Sequence, residues 1–98
     1  MICYEVVFTN AEMRYEVSRR NFYLKEGSTT NLAELGFHIS EIVKLFPSAL
    51  CQVRAKSALD SADFAVIYAA YGQEWEPEEL FRCIEKFYAS LKERERVR

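Results

Sequence analysis

The segment PEELFRCIEKFYASLKERERVR, residues 77–98, is the most informative part of this chain. Its large apolar side chains recur at the spacing of one helix face, and they are Leu80, Ile84, Phe87 and Leu91, flanked by Phe81 and Tyr88. Pro77 suits the first position of a helix, and Trp75 and Leu80 occupy the positions of a hydrophobic staple. The apolar stripe stops at Leu91 while the helical pattern continues. The segment therefore predicts a long C-terminal helix that packs on a core along its first part only.

Such a helix needs a second layer to pack against, and the start of the chain predicts one. Residues 2–9 and 12–18 alternate with a period of two, which is typical of β-strands, and the second strand can extend through Phe22 or Leu24. Asn10-Ala11 lies between them, so we predict a β-hairpin with its turn at these two residues. The pairs expected to face each other on the apolar side are Phe8 with Met13, Val6 with Tyr15, and Tyr4 with Val17. The other side, with Glu5 and Glu16, is expected to be wetter.

A second, internal helix is predicted between residues 31 and 46. Asn31 is a suitable N-cap. The apolar residues that follow it at helical spacing are Leu32, Leu35, Ile39, Ile42, Val43 and Phe46. Gly36 weakens this pattern and raises the alternative of two shorter helices. Pro47 ends the helix, because residues before proline resist the α region.

Residues 48–71 allow two interpretations. Alternation over residues 51–56 and the β-rich composition of residues 64–68 favour a second hairpin, with a turn at residues 60–63. Seven alanines between positions 49 and 70 favour helix instead. An isolated two-stranded hairpin is only marginally stable in water, which favours the interpretation with a second hairpin. We therefore predict an α+β fold of order ββαββα, a single domain over residues 1–98. Its antiparallel sheet is covered on one face by the internal and C-terminal helices. One hairpin with three or four helices is the alternative.

Composition narrows the class of protein. The 98 residues include 13 Lys and Arg against 15 Asp and Glu, a net charge of −2, which argues against a general nucleic-acid coat or a basic membrane binder. Three cysteines without a CxxC motif argue against a disulfide framework or a zinc module. The sequence contains no run of roughly 20 apolar residues that would cross a membrane. We therefore expect reduced thiols and a cytoplasmic protein that does not bind membranes.

No set of catalytic residues stands out. His38 is the only histidine, and the three glycines are isolated rather than grouped in a phosphate-binding loop. Cysteines and histidine lack the spacing of a closed metal site. We expect neither enzymatic activity nor a metal or cofactor. A small enzyme that pairs His38 with Cys3, Cys51 or Cys83 is the alternative.

Two charge-biased stretches are candidate partner sites. Residues 14–25 carry Arg14, Arg19, Arg20 and Lys25 with interleaved aromatic residues, a composition that suits nucleic-acid binding on a sheet. In residues 74–79, four carboxylates surround Trp75 and Pro77, and an acidic surface around an aromatic anchor suits a basic protein partner. Helix-start chemistry and a staple explain most of this second stretch.

The leading functional hypothesis is a non-enzymatic protein-interaction module: a small regulator, inhibitor or accessory subunit. Its candidate partner contacts are Glu74, Trp75, Glu76, Arg94 and Arg96, where the last two belong to the basic tail after Leu91. Homodimerisation through a strand edge or the C-terminal helix is a further possibility. Nucleic-acid binding through the basic residues of the second strand is the alternative.

Overall fold

A computed structural model describes residues 1–25, 29–57 and 63–96, with side chains for residues 1–25, 32–57 and 63–93. Its elements are β1 (Ile2–Thr9), β2 (Glu16–Leu24), α1 (Thr29–Leu45), β3 (Leu50–Ser57), β4 (Ala65–Tyr71), a 3₁₀ turn (Gly72–Glu74) and α2 (Pro77–Arg96). The predicted order ββαββα is confirmed, and the alternative of one hairpin covered by helices is wrong. The predicted start of the internal helix is wrong, because α1 begins at Thr29 and Asn31 is its third residue rather than its N-cap. Most of the predicted turn at residues 60–63 lies outside the described residues.

The four strands form one antiparallel sheet in the order β2-β1-β3-β4. Each hairpin contributes one central and one edge strand, and α1 connects the β2 edge to β3 on the far side of β1. Strands β1 and β3 are therefore flanked on both sides, whereas β2 and β4 each pair along one edge within the described residues. This position explains why every residue from Ile2 to Phe8 is buried.

Both helices pack on the same face of the sheet. The strand residues of this face that join the core are Ile2, Tyr4, Val6, Phe8, Phe22, Leu24, Cys51, Val53 and Ala55. Leu35 and Ile39 of α1 and Leu80 and Ile84 of α2 complete the cluster. The predicted arrangement, an antiparallel sheet covered on one face by the internal and C-terminal helices, is confirmed.

The predicted register of the first hairpin is wrong. Tyr4 pairs with Phe22, and the remaining pairs shift accordingly, to Val6 with Arg20 and Phe8 with Ser18. Met13, predicted to face the core, is 73% exposed, and Tyr15 is exposed as well. Val17 does pack against the core, but through a bulge in β2 rather than opposite Tyr4.

A longer turn causes this shift. The Asn10 side-chain oxygen accepts hydrogen bonds from the backbone N–H groups of Glu12 (3.0 Å) and Met13 (2.9 Å). Arg14 adopts a left-handed backbone conformation, with φ of 57°, and its N–H donates to the Asn10 carbonyl at 2.8 Å. An asparagine side chain that satisfies its own turn favours this local structure over a two-residue hairpin turn. The alternating pattern alone did not reveal it.

The two helices differ in how well sequence predicts them. Helix α1 continues through Gly36, which is buried beneath the Phe81 ring, so packing outweighs the roughly 1 kcal/mol that glycine costs in a helix. In α2, Leu80 and Ile84 are buried, and Trp75 packs against the same core cluster, as expected of a staple. Over the described residues, neither helix combines the length and apolar character needed to cross a membrane.

We expect Leu80→Ala to lower the free energy of unfolding by about 2–5 kcal/mol, because it removes a fully buried side chain where α2 meets the sheet. Glu85→Ala, on the exposed side of the same helix, is the matched control and should change it by less than about 0.5 kcal/mol. Urea titration followed by circular dichroism measures both. A loss below about 1 kcal/mol for Leu80→Ala would contradict this core.

Candidate functional site

The face of the sheet opposite the two helices is the first candidate surface, and we call it the open face. Register places on it the odd-numbered residues of β1 and their neighbours on the other strands. Its members are Cys3, Glu5, Val7, Thr9, Glu16, Arg19, Asn21, Tyr23, Leu50, Gln52, Arg54, Lys56, Val66, Ala69 and Tyr71. An antiparallel sheet tolerates such a face because its polar side can remain in water.

Glu5 occupies the centre of the open face and is only 7% exposed. Its Oε2 lies 2.7 Å from Nη1 of Arg19, and its Oε1 accepts a hydrogen bond from Nη1 of Arg54 at 3.2 Å. Register explains this convergence, because Arg54 lies directly opposite Glu5 on β3 and Arg19 lies diagonally across on β2. A buried carboxylate thus has an arginine for each of its oxygens, as burial of a charge requires.

Two further contacts order these arginines. The Nε of Arg19 donates to both carboxylate oxygens of Glu16, at 3.0 and 3.1 Å, and this hydrogen bonding lowers the pKa of Glu16. The Nη2 of Arg54 donates to Oε1 of Gln52 at 3.0 Å. Within the described residues, the buried Nε of Arg54 has no hydrogen-bond partner. The open face therefore holds two arginines in fixed positions rather than as free surface side chains.

Exposed apolar groups flank this ionic centre on both sides. Tyr23, on β2, is 63% exposed, and Val66 and Tyr71, on β4, are also exposed. The ammonium of Lys56 lies 5.0 Å from the centroid of the Phe64 ring, a cation–π contact. Tyrosine and arginine are residue types enriched in protein interfaces, and this face carries both.

The basic residues predicted for nucleic-acid binding do not share one surface. Arg19 lies on the open face, but Arg20 lies on the helix-bearing side, with its guanidinium 4.7 Å from the Phe22 ring centroid. Arg14 lies in the turn before β2, and Lys25 follows its end. The nine residues of β2 rise about 3.3 Å each, which separates Arg14 and Lys25 by roughly 25 Å or more.

Trp75 lies in the structural position that its staple interpretation requires. It is half-buried, its indole N–H donates to Oγ of Ser40 at 3.3 Å, and its ring meets the edge of Tyr68 with centroids 6.0 Å apart. Glu74 and Glu76 beside it are exposed, and their role as partner contacts stays a prediction. The same holds for Arg94 and Arg96, whose side chains lie outside the described ones.

A groove between α1 and the edge strand β2 is the second candidate surface, and we call it the α1–β2 groove. Its volume is about 690 Å³, and it is lined by Arg20, Phe22, Ala33, Glu34, Phe37, His38 and Glu41. Phe37 is 68% exposed, although it lies among other apolar groups. The groove combines an apolar floor with three charged side chains at its margin.

His38 lies within this groove, against Phe22, with ring centroids 5.5 Å apart. Burial, and to a lesser extent the nearby charge of Arg20, lower the pKa of His38 below its ordinary 6.5. Its Nε2 is buried and has no hydrogen-bond partner among the described residues. The imidazole is therefore neutral near pH 7 and offers one unsatisfied nitrogen.

The described residues provide little for catalysis or metal binding. Cys3, Cys51 and Cys83 are free thiols, and burial raises the pKa of Cys51 to about 12, which opposes formation of a nucleophilic thiolate. Among the described residues, no three His, Cys, Asp or Glu side chains lie together as metal ligands would. A Cys–His dyad has no contact to support it in this part of the chain.

Comparison of the chain with protein-family models, curated proteins and solved structures finds no match. Function therefore has to be inferred from the open face and the α1–β2 groove themselves.

The sequence did not single out the central role of Glu5 or the groove residues Phe37 and Glu34. Alternation placed Glu5 on the polar face, which was the available signal, but its arginine partners depend on pairing between β1, β2 and β3. The signal for the groove was Phe37, a large apolar residue next to the predicted stripe of α1 rather than on it. An exposed aromatic beside a core stripe is worth marking as a candidate contact.

We expect Glu5→Gln to lower the free energy of unfolding by about 1–3 kcal/mol, because it leaves two partly buried arginines without their carboxylate. Glu41→Gln is the matched control, since its ion pair with Lys44 at 3.0 Å is exposed and should contribute less than about 0.5 kcal/mol. Guanidinium chloride would screen these charges, so urea titration is the measurement. Equal effects of the two substitutions would contradict a structural role for Glu5.

His38 should make stability depend on pH. Its pKa is lower in the folded state than its ordinary 6.5, so the unfolded chain binds the proton more readily. The free energy of unfolding should therefore decrease as the pH falls through 6.5 and stop responding to His38 below its folded pKa. His38→Gln should remove this part of the dependence of the free energy of unfolding on pH, as measured by urea titrations at a series of pH values between about 8 and 5. An unchanged slope would contradict the contribution, because the chain has no other histidine.

Proposed function

We propose that the chain is a non-enzymatic protein-interaction module, a small regulator, inhibitor or accessory subunit, that binds its partner through the open face. One observation carries the proposal: Arg19 and Arg54 are fixed on the buried Glu5, between exposed Tyr23 and exposed Tyr71. We expect it to act in the cytoplasm, because its described cysteines are free thiols.

Pre-organisation is the first argument for a binding role. Binding normally immobilises flexible side chains, at about 0.5–1.5 kcal/mol for each rotamer-rich one. Arg19 and Arg54 are already held by Glu5, Glu16 and Gln52 before any partner arrives. A partner that accepts hydrogen bonds from their remaining N–H groups loses less conformational entropy than it would on free arginines.

Size is the second argument. Four strands about 4.8 Å apart and eight residues of about 3.3 Å give the open face a footprint of roughly 19 Å by 26 Å, or roughly 500 Å² in projection. A standard protein interface buries about 800 Å² of accessible surface on each partner. A side-chain-covered sheet face of this footprint, with its margins, suits a small protein interface better than a compact ligand.

The charges of the face indicate the chemistry of the partner. Arg19, Arg54 and Lys56 are positive and Glu5 and Glu16 negative, so the net charge is 3 − 2 = +1. Because Glu5 is buried, the excess of positive over negative charge that faces the solvent is larger than this net value. A protein surface with carboxylates around an apolar centre is complementary to this pattern.

Nucleic-acid binding is less well supported by the same surface. Single strands need stacking platforms together with several free cations along the backbone, and binding then weakens steeply with salt. Here Arg19 is engaged by Glu5 and Glu16, and Arg20 lies on the opposite side of the sheet. The experiment that tests protein binding also distinguishes it from nucleic-acid binding.

The test starts with capture of partners from the native host and continues with purified components. We expect the captured protein, once purified, to bind the wild-type chain directly in calorimetry. Tyr23→Ser and Lys56→Glu should each weaken that binding about tenfold or more, since both change side chains of the open face. Phe46→Ala is the matched control, because Phe46 is exposed but lies outside the open face.

Three outcomes would overturn the proposal. The first is direct binding that Tyr23→Ser and Lys56→Glu leave unchanged. The second is capture that nuclease treatment abolishes, accompanied by filter binding of single-stranded RNA that falls steeply with salt, which would establish the nucleic-acid alternative. The third is the absence of any protein that binds the purified chain.

A further inference from the structure

The edge strand β2 and the helix beside it form a second feature that the open face does not explain. Within the described residues, β2 pairs only with β1, so half of its backbone N–H and C=O groups face outward without a strand partner. At nine residues β2 is the longest strand of the sheet. A free edge of this kind is a template for an additional strand.

The α1–β2 groove runs along this same edge on the helix side. Alternate side chains of a strand added to β2 would point toward α1 and enter the groove, whose volume of about 690 Å³ is within the usual range for ligand sites. Phe37 from α1 is 68% exposed and provides most of the apolar contact surface there, whereas Phe22 from β2 lines the groove but is buried, with the Arg20 guanidinium 4.7 Å from its ring centroid. An aromatic or large aliphatic side chain of the added strand is the group that this surface accommodates.

Three charged side chains line the groove, Arg20, Glu34 and Glu41, so its net charge is 1 − 2 = −1 and favours a basic group beside the anchor. Glu41 also pairs with Lys44 at 3.0 Å, an exposed contact that contributes little and that a basic ligand can displace. Glu34 and Glu41 lie seven residues apart on α1, about 10.5 Å along its axis, on either side of Phe37 and His38. In an extended chain, the residues two positions before and two positions after an anchor point to the same face of the strand as the anchor. These two residues lie about 13 Å from each other. Lysine or arginine at these positions can reach both carboxylates, since their side chains are long.

We propose that the α1–β2 groove binds an extended segment of another protein as a fifth strand beside β2. The segment places an aromatic or large aliphatic anchor against Phe22 and Phe37 and a basic residue two positions away on each side, facing Glu34 and Glu41. The proposal adds a second site to the interaction module, on the opposite side of the sheet from the open face.

A second copy of this chain is a poor occupant of the groove. The apolar edge strand β4 carries no charged residue and so cannot supply the two basic groups. The longest antiparallel overlap of two β2 strands is centred on Arg20, the middle residue of β2, and would place the two arginines directly opposite each other, which is destabilising. Glu34 and Glu41 of the groove favour a basic peptide over this arrangement.

An array of synthetic heptapeptides tests the proposal. Peptide positions 1, 3, 5 and 7 are threonine. Position 4 is phenylalanine, leucine or alanine. Positions 2 and 6, which lie on the same side of the strand as position 4, are both lysine, both threonine or both glutamate. We expect the peptide with central phenylalanine and flanking lysines to bind most tightly in calorimetry. Replacing its phenylalanine by alanine, or its lysines by glutamates, should weaken binding about tenfold or more. N-methylation of the amides that face β2 should abolish binding, because strand addition depends on main-chain hydrogen bonds.

Variants of the chain locate the site. Phe37→Ala should weaken binding of the best peptide about tenfold, without unfolding, because Phe37 is largely exposed. Glu34→Lys should shift preference toward the peptide with flanking glutamates. Phe46→Ala is the matched control, since it removes another exposed phenylalanine outside the groove. Tyr71→Ser, on the open face at the opposite edge strand β4, should leave peptide binding unchanged, so failure of one site is distinguishable from failure of the other.

The proposal is overturned if no peptide of the array binds at about 1 mM, a concentration at which binding energies of about 4 kcal/mol are detectable. It is also overturned if the N-methylated peptide binds as well as its parent, or if Phe37→Ala and Phe46→Ala have equal effects. Amide chemical shifts that change on β4 or α2, and not on β2 and α1, would have the same consequence.

Discussion

Pairing of β1 with both β2 and β3 underlies both the core and the surface of this fold. It places β1 in the interior of the sheet, so its even-numbered residues become the floor of the core under both helices, and its odd-numbered residues become the centre of the open face. A carboxylate at such a position is tolerated only with matched cations. Glu5 has them because the same pairing delivers Arg19 and Arg54. The fold and the main surface feature thus have one cause.

The sequence predicted best those elements whose apolar residues all face one surface, the core between the sheet and the helices. Leu80 and Ile84 in α2, and Cys51 and Val53 in β3, face the core because period and burial agree. The register of β2 failed for the opposite reason. Side chain–backbone hydrogen bonds from Asn10 lengthen the turn, and a shift in register exchanges the residues that face the core. Such local competition leaves no trace in hydrophobic alternation.

The candidate surfaces were predicted less well, because each depends on contacts between residues far apart in sequence. Glu5 and Arg54 are separated by 49 positions, and no local pattern links them. Adjacent Arg19 and Arg20 formed one basic cluster in sequence, but a strand sends successive side chains to opposite faces. Charge density along a strand therefore overstates the charge that one surface carries. Trp75 is a different case, because its position in the sequence is accounted for by the start of α2 and by its contacts with the core and Ser40, without a partner protein.

Strand β2 links the two candidate sites through the same alternation. Arg19 contributes to the open face and Arg20 to the α1–β2 groove, so the two sites lie back to back across one strand. A strand added to the edge of β2 would present half of its side chains to the groove and the other half beside Arg19 and Tyr23, and it would widen the open face by about 4.8 Å. Its outward residues would then contact whatever protein occupies that face. Occupancy of the groove can therefore alter affinity at the open face by direct contact, without any change in the conformation of the sheet.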